Sequence, residues 1–221
     1  MQLPPPSRVE GLGLIRIPRL FGPWPKQMHD EFATYLDAMG RFEDGLREHK
    51  IALERDPLSL EARIQYGDSF FYARRYSEAQ AEYEEVARLA PSFADAHRAL
   101  GWLYLQQGKF QAGMEEMRKT MELDRGSGLL VAMSYAISGN TVQARTILQQ
   151  TLSSSKGQYI SGVSVAFVYA AMKDQDNVCK WLERAYRDHD PDIAFFNVDP
   201  SHDVLRSSSC FRDIIRRVNF R

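Results

Sequence analysis

Three aromatic residues, Phe42, Tyr76 and Phe110, stand 34 positions apart both times, and each has a small residue three positions on: Gly45, Ala79 and Gly113. Pro57 and Pro91 keep the same spacing. A chain that repeats itself at this length is built from units too small to bury their own apolar faces, so the units must stack. Between the two prolines the residues are chiefly Ala, Leu, Glu, Arg and Gln, which favour helix. Asp56 and Ala90 each precede a proline, which stops one helix and starts the next.

This pattern resembles the tetratricopeptide repeat family, whose unit is a helix, a tight turn and an antiparallel second helix. Numbered by that unit, repeats start near Lys26, Leu60 and Ala94. The small residue at position 8 is then Ala33, Gly67 and Gly101, and the larger residue at position 24 is His49, Tyr83 and Met117. Small residues let the paired helices approach, and large ones fill the space between pairs. A shorter fourth unit keeps Val131, Ala132, Tyr135, Gly139 and Ala144 in place. A fifth keeps Val165, Ala166, Tyr169, Leu182 and Ala185, but carries Lys173 and Val178 where glycine and alanine are usual.

The resemblance implies an all-α fold, an α-solenoid of about five tetratricopeptide hairpins with a C-terminal capping helix. The expected layout is a Pro-rich irregular arm over residues 1–25, a solenoid over 26–192 and a cap over 193–221. The repeats fall at about 26–59, 60–93, 94–124, 125–158 and 159–192, with a flexible linker from Ser153 to Gly157. In the cap, Ile193, Phe195, Phe196 and Val198 cover the open edge, and Phe211, Ile214, Ile215 and Val218 form a short amphipathic helix.

Such a solenoid presents a concave groove, lined from first-helix positions. Repeat one contributes Asp30, Thr34 and Asp37; repeats two and three contribute Ile64, Asp68, Phe71, Tyr72, Arg98, Trp102, Leu105 and Gln106. Those last seven are the expected partner-binding surface, because Trp, Tyr and Arg carry most of the energy at protein interfaces. Leu129, Met133, Ala136, Val163, Phe167 and Ala170 make the later groove apolar, to be filled by a partner, by Phe195 and Phe196 of the tail or by the Pro-rich arm. The paired Lys and Asn with which some family members clamp a C-terminal carboxylate are missing at the corresponding positions, where Asp30 and Asp68 would repel it.

The 28 Lys and Arg against 29 Asp and Glu leave no basic footprint for nucleic acid or an anionic membrane. Cys179 and Cys210 are too few for a disulfide framework; Cys179 reads as a packed thiol, and a reducing cytoplasm is expected. The start of the chain lacks the plan of a secretory signal. His29, His49 and His97 read as structural histidines. The acidic stretch from Asp188 to Asp192, with His202 and Asp203, has the spacing of no compact metal motif. Neither cofactor, metal nor catalytic residue is expected, and the chain reads as a scaffold for a protein or peptide partner. Self-association through the exposed ends stays open. Trp181, Val198, Leu205 and Phe211 are also similar to the ending of tetratricopeptide regions in bacterial multidomain signalling proteins. That likeness implies an alternative role, a regulatory or sensor region of a signalling or transcription system.

Overall fold

A computed structural model of the chain describes residues 24–124, 128–155 and 159–218, and among these there are helices and turns but no strand. Apart from Trp24 and Pro25, the Pro-rich arm lies outside the described residues. Ten helices form five antiparallel pairs: α1 (Lys26–Ala38) with α2 (Phe42–Arg55), α3 (Leu60–Tyr72) with α4 (Tyr76–Leu89), and α5 (Ala94–Gln106) with α6 (Phe110–Leu123). The fourth pair is α7 (Gly128–Ile137) with α8 (Thr141–Ser154), and the fifth is α9 (Gly162–Ala171) with α10 (Gln175–Arg187). Two 3₁₀ turns, Pro191–Phe195 and Pro200–Val204, lead to α11 (Ser209–Val218).

The pairs close in one way. Each turn passes through a left-handed residue, in order Gly40, Arg74, Gly108, Gly139 and Lys173, with φ between +59° and +85°. The next amide reaches back five residues to a helical carbonyl: Arg41 to Leu36, Arg75 to Phe70, Lys109 to Tyr104, Asn140 to Tyr135 and Asp174 to Tyr169, all at 2.8–3.0 Å. This is the closure that satisfies the last free carbonyls of a helix. Lys173 thus adopts the glycine conformation at a cost of roughly 1 kcal/mol.

Packing explains the small residues. A Cβ on Gly67 would come within 2.5 Å of the Tyr83 ring, and one on Gly113 within 2.8 Å of Leu105. Tyr83, Val86 and Leu103 are fully buried between pairs two and three. Burying side chains of this size contributes about 1.5–3 kcal/mol each. Val178 is also fully buried and joins Ala166 and Ala170 in the last core cluster, so small residues on α9 accept the larger one on α10.

A polar side-chain pair recurs with the period. His29–Glu48, Arg63–Glu82 and His97–Glu116 link the first and second helices of pairs one to three, at 2.6, 2.9 and 2.7 Å. His97 also reaches the Pro91 carbonyl at 2.8 Å.

Two expectations need correction. The run from Ser153 is not linker from its start: α8 continues through Ser154, and the Ser153 hydroxyl donates to the Gln149 carbonyl at 2.8 Å, which lets a serine sit in a helix. Cys179 is not a free thiol. It is bonded to Cys210, with the two Cα atoms 5.3 Å apart, because α11 packs along α10. Arg217 of α11 pairs with Glu183 of α10 and lies 4.0 Å over the Tyr186 ring. Phe196 and Phe211 stack at 4.6 Å within the same cluster, and Ile193, Phe196, Leu205 and Ile214 close the end of the stack.

Candidate partner-binding groove

The first repeat does not furnish the acidic groove expected of it. Asp30 and Asp37 are 8% and 1% exposed and face inward, where His49 lies 3.5 Å from one and 3.6 Å from the other. The Ser69 hydroxyl donates to Asp37 from the next repeat. The physical reason is His49 itself. It occupies the packing slot that holds Tyr83 and Met117 in the following repeats, and a buried imidazole must find polar partners. Burial works against its charged form, but Asp30 and Asp37 beside it outweigh that and raise its pKa.

The tail then fills much of the concave side. It leaves α10 at Asp190, whose carboxylate accepts from the Val163 amide at 3.1 Å and shares the Ser161 hydroxyl, 3.0 Å away, with Asp192 at 2.7 Å. Asp190 and Asp199 each precede a proline and each cap a 3₁₀ turn, accepting from the amides of Asp192 and Ser201. Pro at the first position of such a turn loses no hydrogen bond. Phe195 packs against Tyr72, ring centroids 5.3 Å apart, and Asp203 receives both Nη2 contacts of Arg74, at 2.8 and 2.9 Å. The second 3₁₀ turn touches both α5 and α9. Phe195 therefore covers the groove, as the sequence allowed, whereas Phe196 turns into the end of the stack.

The seven residues expected to bind a partner come together along this seam. Asp68, Phe71, Tyr72, Arg98 and Trp102 line a compartment of about 120 Å³ whose opposite wall is Asp199 and Ser201. Tyr72, Arg98 and Trp102 also border a larger cleft of about 290 Å³, and Trp102, Leu105 and Gln106 border a third of about 200 Å³ beneath Pro200 and Val204. Phe71 and Leu105 are buried and hold helices together, so they offer little surface. Trp102 meets Phe167 edge-on at 5.3 Å. Asp68 accepts from the Tyr83 hydroxyl at 2.6 Å, and burial pushes its pKa up to about 6 despite that bond and the Arg98 charge. Burial, with Asp68 and Asp199 nearby, holds the Tyr72 hydroxyl well above its ordinary pKa.

Asp192, Phe195, Asp199, Ser201 and His202 belong to the same seam and were not among the expected site residues. The two Asp–Pro steps could have located the turns that carry them. Nothing local could have shown where those turns would dock.

An all-helical stack of five hairpins with a partly filled concave face defines the class: an α-solenoid. A tetratricopeptide repeat family model matches residues 64–127. Among solved structures, a thermophilic tetratricopeptide protein from Thermus thermophilus is 16% identical with a TM-score of 0.60, over 86% of this chain and 99% of that one. The Cut9–Hcn1 hetero-tetramer of the APC/C gives 16% identity and a TM-score of 0.57, over 88% of this chain and 43% of that one. PilF from Pseudomonas aeruginosa gives 19% and 0.51, over 78% and 80%. A curated relative, the repeat-containing protein YpiA of Bacillus subtilis, is 22% identical over 169 residues, 74% of this chain; the chain spans 40% of that relative's length. Residues 64–127 thus match the tetratricopeptide repeat, and the fold of the chain is the one that solved tetratricopeptide proteins share. Proteins of this kind are generally interaction scaffolds, some with peptide-binding sites, and are typically non-catalytic.

Proposed function

We propose that the chain is a non-catalytic scaffold that holds a protein or peptide partner on its concave face, at the seam around Asp68, Tyr72, Arg98, Trp102 and Gln106. The observation that carries this reading is the seam itself. An aromatic and charged strip stays open between α3, α5 and the tail, where a fully packed core would leave none. Near-neutral net charge gives a nucleic acid no purchase, and no described helix is long and apolar enough to cross a membrane. The expectation of a cytoplasmic location leaned on the low cysteine count and on the missing plan of a secretory signal. The Cys179–Cys210 bond weakens the first of these supports, since such bonds are rare in a reducing cytoplasm.

The test is capture by tagged chain from its native cells, comparing the unaltered protein with a Tyr72→Ala, Trp102→Ala double variant of unchanged circular dichroism. Loss of specific partners supports the groove; an identical set of partners on both removes it. The alternative, a sensor region of a bacterial signalling or transcription-regulatory system, gains from the tail's seat in the groove. The clefts that remain suit a small ligand better than a long extended peptide.

A further inference from the structure

The 290 Å³ cleft between the tail and the groove has walls of two kinds. Tyr72, Trp102 and Phe167 line it from the repeats and Phe195 from the tail, in two ring pairs whose centroids are each 5.3 Å apart. Asp192 and Asp199 line it as well, and the adjoining compartment, which shares Tyr72, Arg98 and Trp102, adds Asp68. Among the described residues none of these three carboxylates forms an ion pair. Their hydrogen bonds come from the Tyr83 hydroxyl at 2.6 Å, the Ser161 hydroxyl at 2.7 Å and the Ser201 amide at 2.7 Å. The one guanidinium in the walls, Arg98, is held by Asp95 on its own helix at 3.0 Å. Elsewhere the chain pairs its acids readily, as at Glu82, Glu116, Glu183 and Asp203.

We propose that this cleft is a binding site for a small organic cation, an ammonium or guanidinium group on a short aliphatic body. Aromatic faces attract a cation through the ring quadrupole, Trp most strongly, and half-buried carboxylates supply the missing counter-charge. An anion in the cleft would meet two carboxylates, with a third in the adjoining compartment, against one guanidinium that already has a partner. The volume sits at the lower end of small-molecule sites, which run from roughly 300 Å³ upward, and so suits a body of a few carbons. Burial raises both Asp68 and Asp192, against the opposing pull of Arg98 on the first and His202 on the second. His202, 7% exposed and with no hydrogen-bond partner on Nδ1, lines the same cleft. The proposal goes beyond the scaffold reading and stands without it.

The experiment is isothermal titration of the full chain with cadaverine, agmatine and choline, with acetate as the anionic control. At least one of the three cations should saturate a single site, and acetate should give no binding. A chain carrying Asp192→Asn and Asp199→Asn should bind that cation at least tenfold more weakly. Asparagine keeps an oxygen for the Ser161 hydroxyl and for the Ser201 amide cap, so the melting temperature should hold. Trp102→Leu, which leaves the carboxylates in place, should also weaken binding. No heat with any of the three cations overturns the proposal. So does equal affinity in the asparagine variant, acetate binding, or tighter binding of a lysine-containing peptide than of every free amine. If the cations bind while the Tyr72, Trp102 double variant still captures every partner, the scaffold reading falls and the cation site stands; the reverse pattern does the opposite.

Discussion

The two ends of the stack solve one packing problem with opposite materials. In the first hairpin the interior is polar: His29, Asp30, Asp37 and His49 are all buried, and an oxygen of Asp30, another of Asp37 and a ring nitrogen of His49 lack hydrogen-bond partners. In the last hairpin, α9 buries Val163, Val165, Ala166, Phe167, Val168 and Ala170, and α11 and the tail lie over it. The repeat fold fixes where the helices run and leaves the chemistry between them free. An apolar end must then be covered by something else, because a bare face of that size would associate with other molecules. A polar end needs no cover, but its stability becomes tied to protonation.

The largest expected effect removes the cover. Phe196→Ala, at a residue with no exposed surface, should cost about 3–5 kcal/mol in urea unfolding. A cost below about 1 kcal/mol would mean that the apolar end does not depend on its seal. Next, Cys210→Ser opens a bond that closes a 31-residue separation and should cost about 2–4 kcal/mol. Thiol titration of the denatured, unreduced chain should find none; two thiols would show that α11 is held by packing alone.

The third prediction separates the ends by pH. His49 has a raised pKa, so its contribution is complete below the unfolded value near 6.5 and is lost as pH climbs through the folded value. Amide protection in α1 and α2, corrected for the base-catalysed rise of intrinsic exchange, should therefore fall over that interval, and His49→Gln should flatten the response. An equal loss of corrected protection in α9 would erase the contrast between the ends. Smaller still, Asp203→Asn breaks an exposed pair with Arg74 and should cost about 0.2–1 kcal/mol, seen in the melting curve. Lys173→Gly should be the mildest change. It relieves a left-handed residue and raises stability by about 0.5 kcal/mol once the extra freedom of the unfolded chain is counted.

How much of this was legible in the sequence depends on range. The hairpins were, because their signals are local and periodic: Gly67 under Tyr83 and the left-handed turn positions repeat at a fixed interval. The pairs formed by His29, Arg63 and His97 with Glu48, Glu82 and Glu116 obey the same interval and could have been read with them. The inward turn of Asp30 and Asp37 could not be seen from their own positions, which match groove residues elsewhere. It follows from a histidine twelve or more residues away in a slot made for a larger, less polar side chain. The seat of the tail was hidden for a stronger reason. Its fixings, such as Arg74 with Asp203, join residues 129 positions apart and leave no periodic trace. Hence the seven groove residues could be chosen from the repeat, while half the walls around them could not.

The course of the tail has a mechanical consequence. Val198 comes near Gly40 in the first turn, Phe195 and Asp203 fix to the second repeat, the second 3₁₀ turn meets the third, and Asp190 holds the fifth. Repeat stacks ordinarily behave as springs, with each coil linked only to its neighbours, able to stretch and to fray from either tip. Here a strut runs down the inside of the coil. Extension must strain it, and fraying at one tip is felt at the other. Raised contact order should also make the last step of folding slower than the local hairpins that precede it.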